Sequence, residues 1–446
     1  IREEPYITTI EDYRNRIDVQ LSGYALKGRI TEVLKDWKSL LKELNESEYF
    51  GDNIDDTGDV TDAAERITKG CTTNEEKLNA IYDWISSSIT CSERNTIYAH
   101  ESVDDVLESK KGNCAEITFL LISMLKSIGI EADPIITSTR SNGMIQKDYP
   151  IVSQFNHVFA RVMVDSQYVY LDATNNLRPI ELLPSEILNV TGLVIKEGEP
   201  EWIKITSPKA SVYFSNITIK LFEDGSIDGL IDDTYYYYGA LNARVDLKDK
   251  NDKEIAKEFF DTDENGLTVD SLQVFNKEDI DLPIKLTANI HSPSYAMTNG
   301  DMIYINPQIV HRTEENPFKT KIRKYPIDFS YQRSFTTNIN IDIPDGYEVK
   351  ENISSKNLKA TPNLASYIRK VKVLENKIEI QAKFDIMVTQ IEPKYYERIR
   401  SFYTSFVAAQ AEQIVLAKKK VISVQGTETK QVDTPVSNKT SAMENK

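Results

Sequence analysis

The sequence predicts an α+β protein, with a helical part leading into an antiparallel sheet and a mostly-β C-terminal region. Three observations carry this reading. Ile117, Leu120, Leu121, Met124, Leu125 and Ile128 recur at helical spacing behind Cys114, and Gly129 supplies a stop. Residues 155–172 read as two strands that return on each other around Asp165-Ser166. From about residue 206 onward, strand-type runs punctuated by turn signals replace the helical periodicity.

The elements follow in chain order. Pro5-Tyr6-Ile7-Thr8-Thr9 and residues 16–21 are strand-like, and the chain starts at Ile1. Residues 1–30 are therefore expected to be the remnant of an N-terminal β domain. The core is expected over residues 31–205. Val33, Leu34, Trp37, Leu40, Leu41 and Leu44 make an amphipathic helix. Residues 52–59 are read as an acidic connection that could also hold calcium. Thr73 and Glu76 form a capping box ahead of a helix that buries Leu78, Ile81, Tyr82, Ile85 and Ile89, with Trp84 off that stripe and packed on a neighbour. Ser102 caps a short helix that leads to Gly112.

A mostly-β domain is expected over residues 206–420, with a β-sandwich as its architecture. Asp224-Gly225 is a hairpin turn between residues 213–222 and 226–238. Tyr235, Tyr236, Tyr237 and Tyr238 are expected to alternate into a sheet, with a glycan platform as the second reading. A helix is expected within 240–260, strands over 335–343 and 377–388, and a final helix from about Lys394 to Lys418. Residues 261–266 match the first half of an EF-hand loop, but position 12 is Leu272 and offers no bidentate carboxylate. No metal or cofactor is expected. Residues 421–446 are polar, lack aromatics and read as a disordered tail.

Cys114, His157 and Asp172 are the expected catalytic residues. Gly112 lets the chain turn into the helix that Cys114 begins, and a helix N-terminus favours a thiolate and can help bind an oxyanion. If Asp165 and Ser166 are the two turn residues, Asp172 lies opposite Phe159 and diagonal to His157 on one face, roughly 7–8 Å between Cα atoms. A slip of one residue would put them on opposite faces. His157 would take the thiol proton and Asp172 would hold the imidazole. The chain has three cysteines, so at least one thiol is unpaired in a monomer; Cys71 and Cys91 are a conceivable pair.

Composition bounds the class. The 446 residues suffice for two or three domains, and 40% hydrophobic with 27% charged residues is ordinary for a globular protein. A net charge of −16 without a basic stripe argues against nucleic acid as a partner. No run reaches the roughly 20 apolar residues of a transmembrane helix.

Lys111-Gly112-Asn113-Cys114-Ala115-Glu116, Phe155-Asn156-His157 and Tyr170-Leu171-Asp172-Ala173-Thr174 resemble the nucleophile, His and Asp segments of the transglutaminase-like superfamily. Glu181-Leu182-Leu183-Pro184 and Gly192-Leu193-Val194-Ile195 resemble the stretch that closes its domain, so the likeness spans about residues 60–200. It implies a papain-like cysteine fold, and the flanks are similar to a bacterial subgroup with β domains of unknown function. That subgroup usually has Gly-Asp-Cys where this chain has Asn113 before the thiol. The resemblance implies a cysteine enzyme that forms an acyl-enzyme on peptide or side-chain amides, with hydrolysis by a protease or amidase preferred over cross-linking. A non-catalytic protein that binds peptides or cell-envelope material is the second reading, and a glycan binder using the tyrosines is the third. The expected location is extracytoplasmic, periplasmic or secreted.

Overall fold

The computed structural model describes residues 4–15, 17, 21–32, 36–55, 58–92, 95–260, 262 and 266–420. Six helices build the first part: α1 (Trp37–Asn45), α2 (Gly51–Asp55), α3 (Gly58–Ile67), α4 (Asn74–Ser88), α5 (Val103–Ser109) and α6 (Cys114–Ser127). Asp36, Thr73, Ser102 and Asn113 cap α1, α4, α5 and α6, and the last three do so in full capping boxes. Helix α6 is the hub. Every residue from Cys114 to Leu125 is buried, because α2, α3, α4, α5 and the sheet surround it. The stripe expected on one face is thus a helix covered on all sides.

The core sheet holds β1 (Ala132–Thr137), β2 (His157–Val164), β3 (Gln167–Leu171), β4 (Thr191–Val194) and β5 (Glu201–Lys204) in the antiparallel order β3-β2-β1-β4-β5. The β2–β3 turn is the two-residue Asp165-Ser166 turn that the sequence predicts. Both residues are left-handed, at φ 47° and 65°, so the turn twist matches that of the strands. The register Ala160↔Leu171 places Asp172 opposite Phe159.

The C-terminal region is built on an eight-stranded sheet of β6 (Ser211–Leu221), β7 (Ile227–Tyr237), β8 (Thr268–Phe275), β9 (Ile284–Ser292), β10 (Arg333–Asp342), β11 (Lys356–Ala360), β12 (Ala365–Val373) and β13 (Lys377–Ile386). Its order is β8-β9-β7-β6-β10-β13-β12-β11, with β6 and β10 parallel. A four-stranded sheet of residues 297–305, 347–351 and 414–418 shares one apolar cluster with it. The span expected to hold one helix holds two, α7 (Tyr238–Leu247) and α8 (Asp252–Phe260), and α9 (Tyr396–Gln410) covers a second cluster.

Several expectations change. Within the 52–59 connection, residues 52–55 and 58–59 are helical: Ile54 is buried, as are Val60 and Ala63 just beyond, and the Ile54 carbonyl accepts from Ser123 Oγ at 2.6 Å. Pro5–Thr9 is not a strand. Tyr6 sits at φ 60°, which breaks an extended run, and its ring packs on Phe318 and Phe329 at 5.8 and 4.9 Å. The final helix ends at Gln410. Ile414, Val415 and Leu416 are buried on both sides by pairing with Met302–Ile305 and Tyr347–Glu351, which suits a strand. The tail from 421, most of 261–266, Val33, Leu34 and most of 16–21 lie outside the described residues. Among the described residues no helix is long and apolar enough to cross a membrane, and no cluster of metal-binding side chains occurs. Cys71 is a free thiol, so no bridge joins it to Cys91.

The two parts meet on an apolar seam of Ile135, Phe159, Leu182, Leu188, Tyr238 and Leu241. A polar knot lies beside it. Buried Asp328 pairs with Arg140 from the core and accepts from Asn189 Nδ2 and Gln390 Nε2, each at 2.9 Å. Asp328→Ala would leave the Arg140 guanidinium largely buried without its counter-charge, so stability should fall by on the order of 3 kcal/mol. Chemical denaturation checks this; a loss no larger than that of an exposed ion pair would contradict the anchoring role.

Candidate active site

Cys114 is the first residue of α6, and its side chain has no exposed surface. Asn113 Oδ1 accepts from the Glu116 N–H at 3.0 Å, and the Asn113 N–H donates to Glu116 Oε2 at 2.7 Å. Glu116 Oε1 also accepts from the His100 and Glu101 N–H groups at 2.8 and 3.1 Å and from Asn113 Nδ2 at 3.0 Å. A buried carboxylate is tolerable when donors surround it in this way. Glu116 therefore pins the 96–101 loop to the start of α6. An Asp at position 113 would set a second carboxylate against it; the Asn113 amide instead donates to Glu116 and to the Tyr98 carbonyl at 3.1 Å.

The pinned loop brings the Thr96 carbonyl to 3.0 Å from Cys114 Sγ. A protonated thiol donates to that oxygen, whereas a thiolate is repelled by it. On the other side, the single Thr118 Oγ1–H is shared between the Cys114 and Val158 carbonyls, at 2.8 and 3.2 Å. This ties the thiol's helix to the strand that carries His157. The first N–H groups of α6, those of Cys114 and Ala115, have no intrahelical acceptor. They are the donors an oxyanion at the thiol would meet.

His157 and Asp172 meet as the hairpin register requires. His157 Nε2 lies 2.8 Å from Asp172 Oδ2, which leaves Nδ1 on the thiol side. Both side chains are buried. Burial opposes the imidazolium, but hydrogen bonds to Asp172 and Cys114 and the charges on both raise its pKa from the ordinary 6.5 to about 10. Asp172 runs the other way. Burial disfavours its charge, yet the Arg178 guanidinium, the His157 hydrogen bond and Thr174 hold it well below the usual carboxylate range.

Arg178, Thr174 and Tyr82 are the site residues that the sequence reading did not single out. Arg178 Nη2 pairs with Asp172 Oδ1 and donates to the Asp172 carbonyl at 3.0 Å, while Thr174 Oγ1 donates to Oδ1 at 2.5 Å. Tyr82 Oη reaches the carbonyls of Asp172 and Arg178, each at 3.1 Å. Nothing in the local sequence marks Arg178, six residues after Asp172 in a loop. The Asn113-x-x-Glu116 spacing, by contrast, is a cap signal that was open to reading. Trp84 packs as expected, with Lys110 Nζ 4.4 Å from its ring.

A polar cleft of about 690 Å³ opens beside His157. Thr139, Thr174, Arg178 and Glu186 line it from the core, and Leu241, Asn242 and Val245 of α7 close it from the C-terminal region.

Two outcomes follow. His157 has a raised folded-state pKa, so its contribution to stability is complete below about 6.5 and disappears as pH climbs through about 10. Nitrogen NMR should find the ring doubly protonated at neutral pH, and Asp172→Asn should bring its titration down; a neutral ring at neutral pH would refute this. Arg178→Met should destabilise by on the order of 3 kcal/mol, because Asp172 keeps its charge in the interior without its main counter-charge. It should also raise the pH at which acid unfolding begins, since a depressed carboxylate stabilises above its unfolded pKa and loses this as pH falls. Acid titration followed by circular dichroism reads that shift, and an unchanged midpoint would count against the pairing.

Comparison with known proteins finds two matching family descriptions along the chain. The model of the transglutaminase-like superfamily matches residues 61–173, a span that contains Cys114, His157 and Asp172. A domain of unknown function, DUF3858, matches residues 301–416. No curated protein matches the chain. A solved structure of a candidate protease from Parabacteroides distasonis aligns with 14% identity and a TM-score of 0.49, over 85% of this chain and 58% of its own. A two-domain M1 zinc metallopeptidase variant bound to L-arginine aligns at 6% identity and a TM-score of 0.17, over 47% of this chain and 42% of its own. This chain therefore spans little more than half the length of the first. The chain carries a transglutaminase-like core, in which Cys114, His157 and Asp172 lie, ahead of a mostly-β region that includes a domain of unknown function.

Proposed function

We propose that the protein is a cysteine acyl-transfer enzyme that hydrolyses peptide or side-chain amides. The observation that carries this reading is the buried His157–Asp172 pair at 2.8 Å, with the imidazole also hydrogen-bonded to Cys114 at a helix start. His157 holds the Cys114 proton as the imidazolium of a thiolate–imidazolium pair, and the thiolate attacks the amide carbon. The Cys114 and Ala115 N–H groups receive the developing oxyanion. The imidazolium then gives its proton to the leaving amine as the C–N bond breaks, leaving a thioester on Cys114. Water attacks the thioester, its proton passes to His157, and the acid leaves as the thiol is restored. Asp172 holds the ring and stabilises its charge throughout, and Arg178 keeps Asp172 ionised. Water is the simplest acceptor, because the cleft beside His157 is polar and open.

One observation favours a second reading, a binding module that keeps the fold. Cys114 has no exposed surface, and the Thr96 carbonyl accepts its S–H. An acyl donor can reach the sulfur only if the residues that cover it give way. Under either reading we place the protein outside the cytoplasm, periplasmic or secreted, and the binding reading adds cell-envelope material as a partner.

Thiol alkylation at pH 6 separates the readings. Cys114 should label faster than Cys71 and Cys91, and His157→Ala should remove the advantage. Equal labelling of all three, indifferent to His157, would leave the binding reading in its place. With a glutamine-peptide library, ammonia release and peptide-bond cleavage should vanish in Cys114→Ser. Asp172→Asn should retain a trace of activity, since the nucleophile survives while the ring loses its orienting partner, a change that costs about 10⁴ in a serine triad and less for a more acidic thiol.

A further inference from the structure

A second cavity, of about 500 Å³, lies in the C-terminal region on the other side of α7; Asn242 and Asp246 line both it and the cleft. Its volume is typical of small-ligand sites. Its floor is a row of aromatic residues across five neighbouring strands. Tyr235 on β7 pairs with Tyr213 on β6, Tyr213 with Phe335 on β10, Phe335 with Phe384 on β13, and Phe384 with Tyr367 on β12. Cross-strand partners share a face, so the rings line one side of the cavity, with Tyr213 and Phe335 meeting edge-on at 6.1 Å. Phe335 and Phe384 are stacked at 5.8 Å, and Tyr213 and Tyr235 lie 4.8 Å apart. Phe259 of α8 and Phe406 of α9 close the far walls.

The charges single out one group. Arg333, two residues before Phe335 on the same face of β10, is the one Lys or Arg among the described lining residues. Its guanidinium lies over the rings of Tyr6 and Phe329, at 5.6 and 5.3 Å, and among the described residues no carboxylate or hydrogen-bond acceptor engages it. Of the three acids nearby among the described residues, two are held by partners. Buried Asp233, two residues before Tyr235 on the same face of β7, is held by His311 Nε2 at 2.8 Å and Tyr213 Oη at 3.0 Å. Glu315 is paired with Lys319, and Asp246 stands on the α7 wall shared with the cleft. A planar cation with unused donors beside an aromatic platform suits a carboxylate whose neighbouring group is a flat ring.

We propose that this cavity binds an aromatic carboxylate presented by the C-terminus of a peptide, with the ring on the Tyr213–Phe335–Phe384 platform and the carboxylate on Arg333. The choice of a peptide rests on the function proposed above; the aromatic and anionic requirements do not.

Calorimetric titration of the full chain carrying Cys114→Ser tests it, because binding is then read without any turnover. The probes are N-acetyl-glycyl-phenylalanine as the free acid, the same dipeptide as its C-terminal amide, and 3-phenylpropionate. The free acid should bind about tenfold or more tightly than the amide, the gain expected of a charge-assisted pair. Arg333→Gln should erase that preference. Ala382→Phe, which fills the floor, should abolish binding of both while thermal unfolding stays cooperative. Absence of binding, equal binding of acid and amide, or a preference that survives Arg333→Gln would overturn the proposal. Equal affinity for 3-phenylpropionate would replace the peptide with a small free acid. An inert Cys114 in the alkylation assay would leave these affinities untouched, so the two readings fail separately.

Discussion

The ionised carboxylate of Asp172 in the protein interior is the constraint around which this site is organised. A buried charge of this kind is tolerable only with a full set of partners. Arg178, His157 and Thr174 supply them from the loop after β3 and from the neighbouring strand, while Tyr82 reaches the same turn from α4. The same bonds that satisfy the carboxylate fix the plane of the imidazole. They also fix which ring nitrogen faces the thiol, and it is the hydrogen-bonding partners that overcome burial and keep the ring protonated. Stability and the proposed chemistry are therefore one arrangement, and a change that loosens the loop at Arg178 acts on both.

The thiol is governed by a second buried carboxylate. Glu116 gathers backbone donors from 100, 101 and 113, so the start of α6 and the loop across from it form one rigid piece. That piece sets the Thr96 carbonyl on Cys114. The sulfur thus stands between a base that draws its proton away and a carbonyl that is satisfied only while the proton stays. The balance between them decides whether the site is poised or closed, and it is set by where the loop rests.

The C-terminal region does more than follow the core. Helix α7 enters directly from β7 and supplies one wall of the cleft, while its other side bounds the aromatic cavity. Tyr238 at its start is buried in the seam, stacked on Tyr331 at 4.2 Å and donating to the Leu183 carbonyl at 2.9 Å. The run of four tyrosines is divided by these demands. Tyr235 joins the platform, Tyr236 and Tyr237 flank the strand end, and Tyr238 anchors the helix.

By itself the sequence determined what is local. The caps at Thr73 and Ser102, the stop after α6, the Asp224-Gly225 hairpin and the Asp165-Ser166 turn depend on residues within a few positions of each other. The two-residue period then carries the turn through to the meeting of His157 and Asp172, so that contact was legible before any fold was known. Tertiary structure decided the rest, because partners distant in sequence leave no periodic trace. Tyr82 reads as one more apolar helix position until its hydroxyl meets a turn 90 residues away. Ile414 to Leu416 continue a helical pattern until two strands on either side bury them. The acidic stretch at 52–59 reads as a loop because its one apolar side chain, Ile54, gains meaning only from burial beside α6. The aromatic platform is the extreme case: its five rings come from five strands spread over residues 213–384, and only the sheet order makes them neighbours.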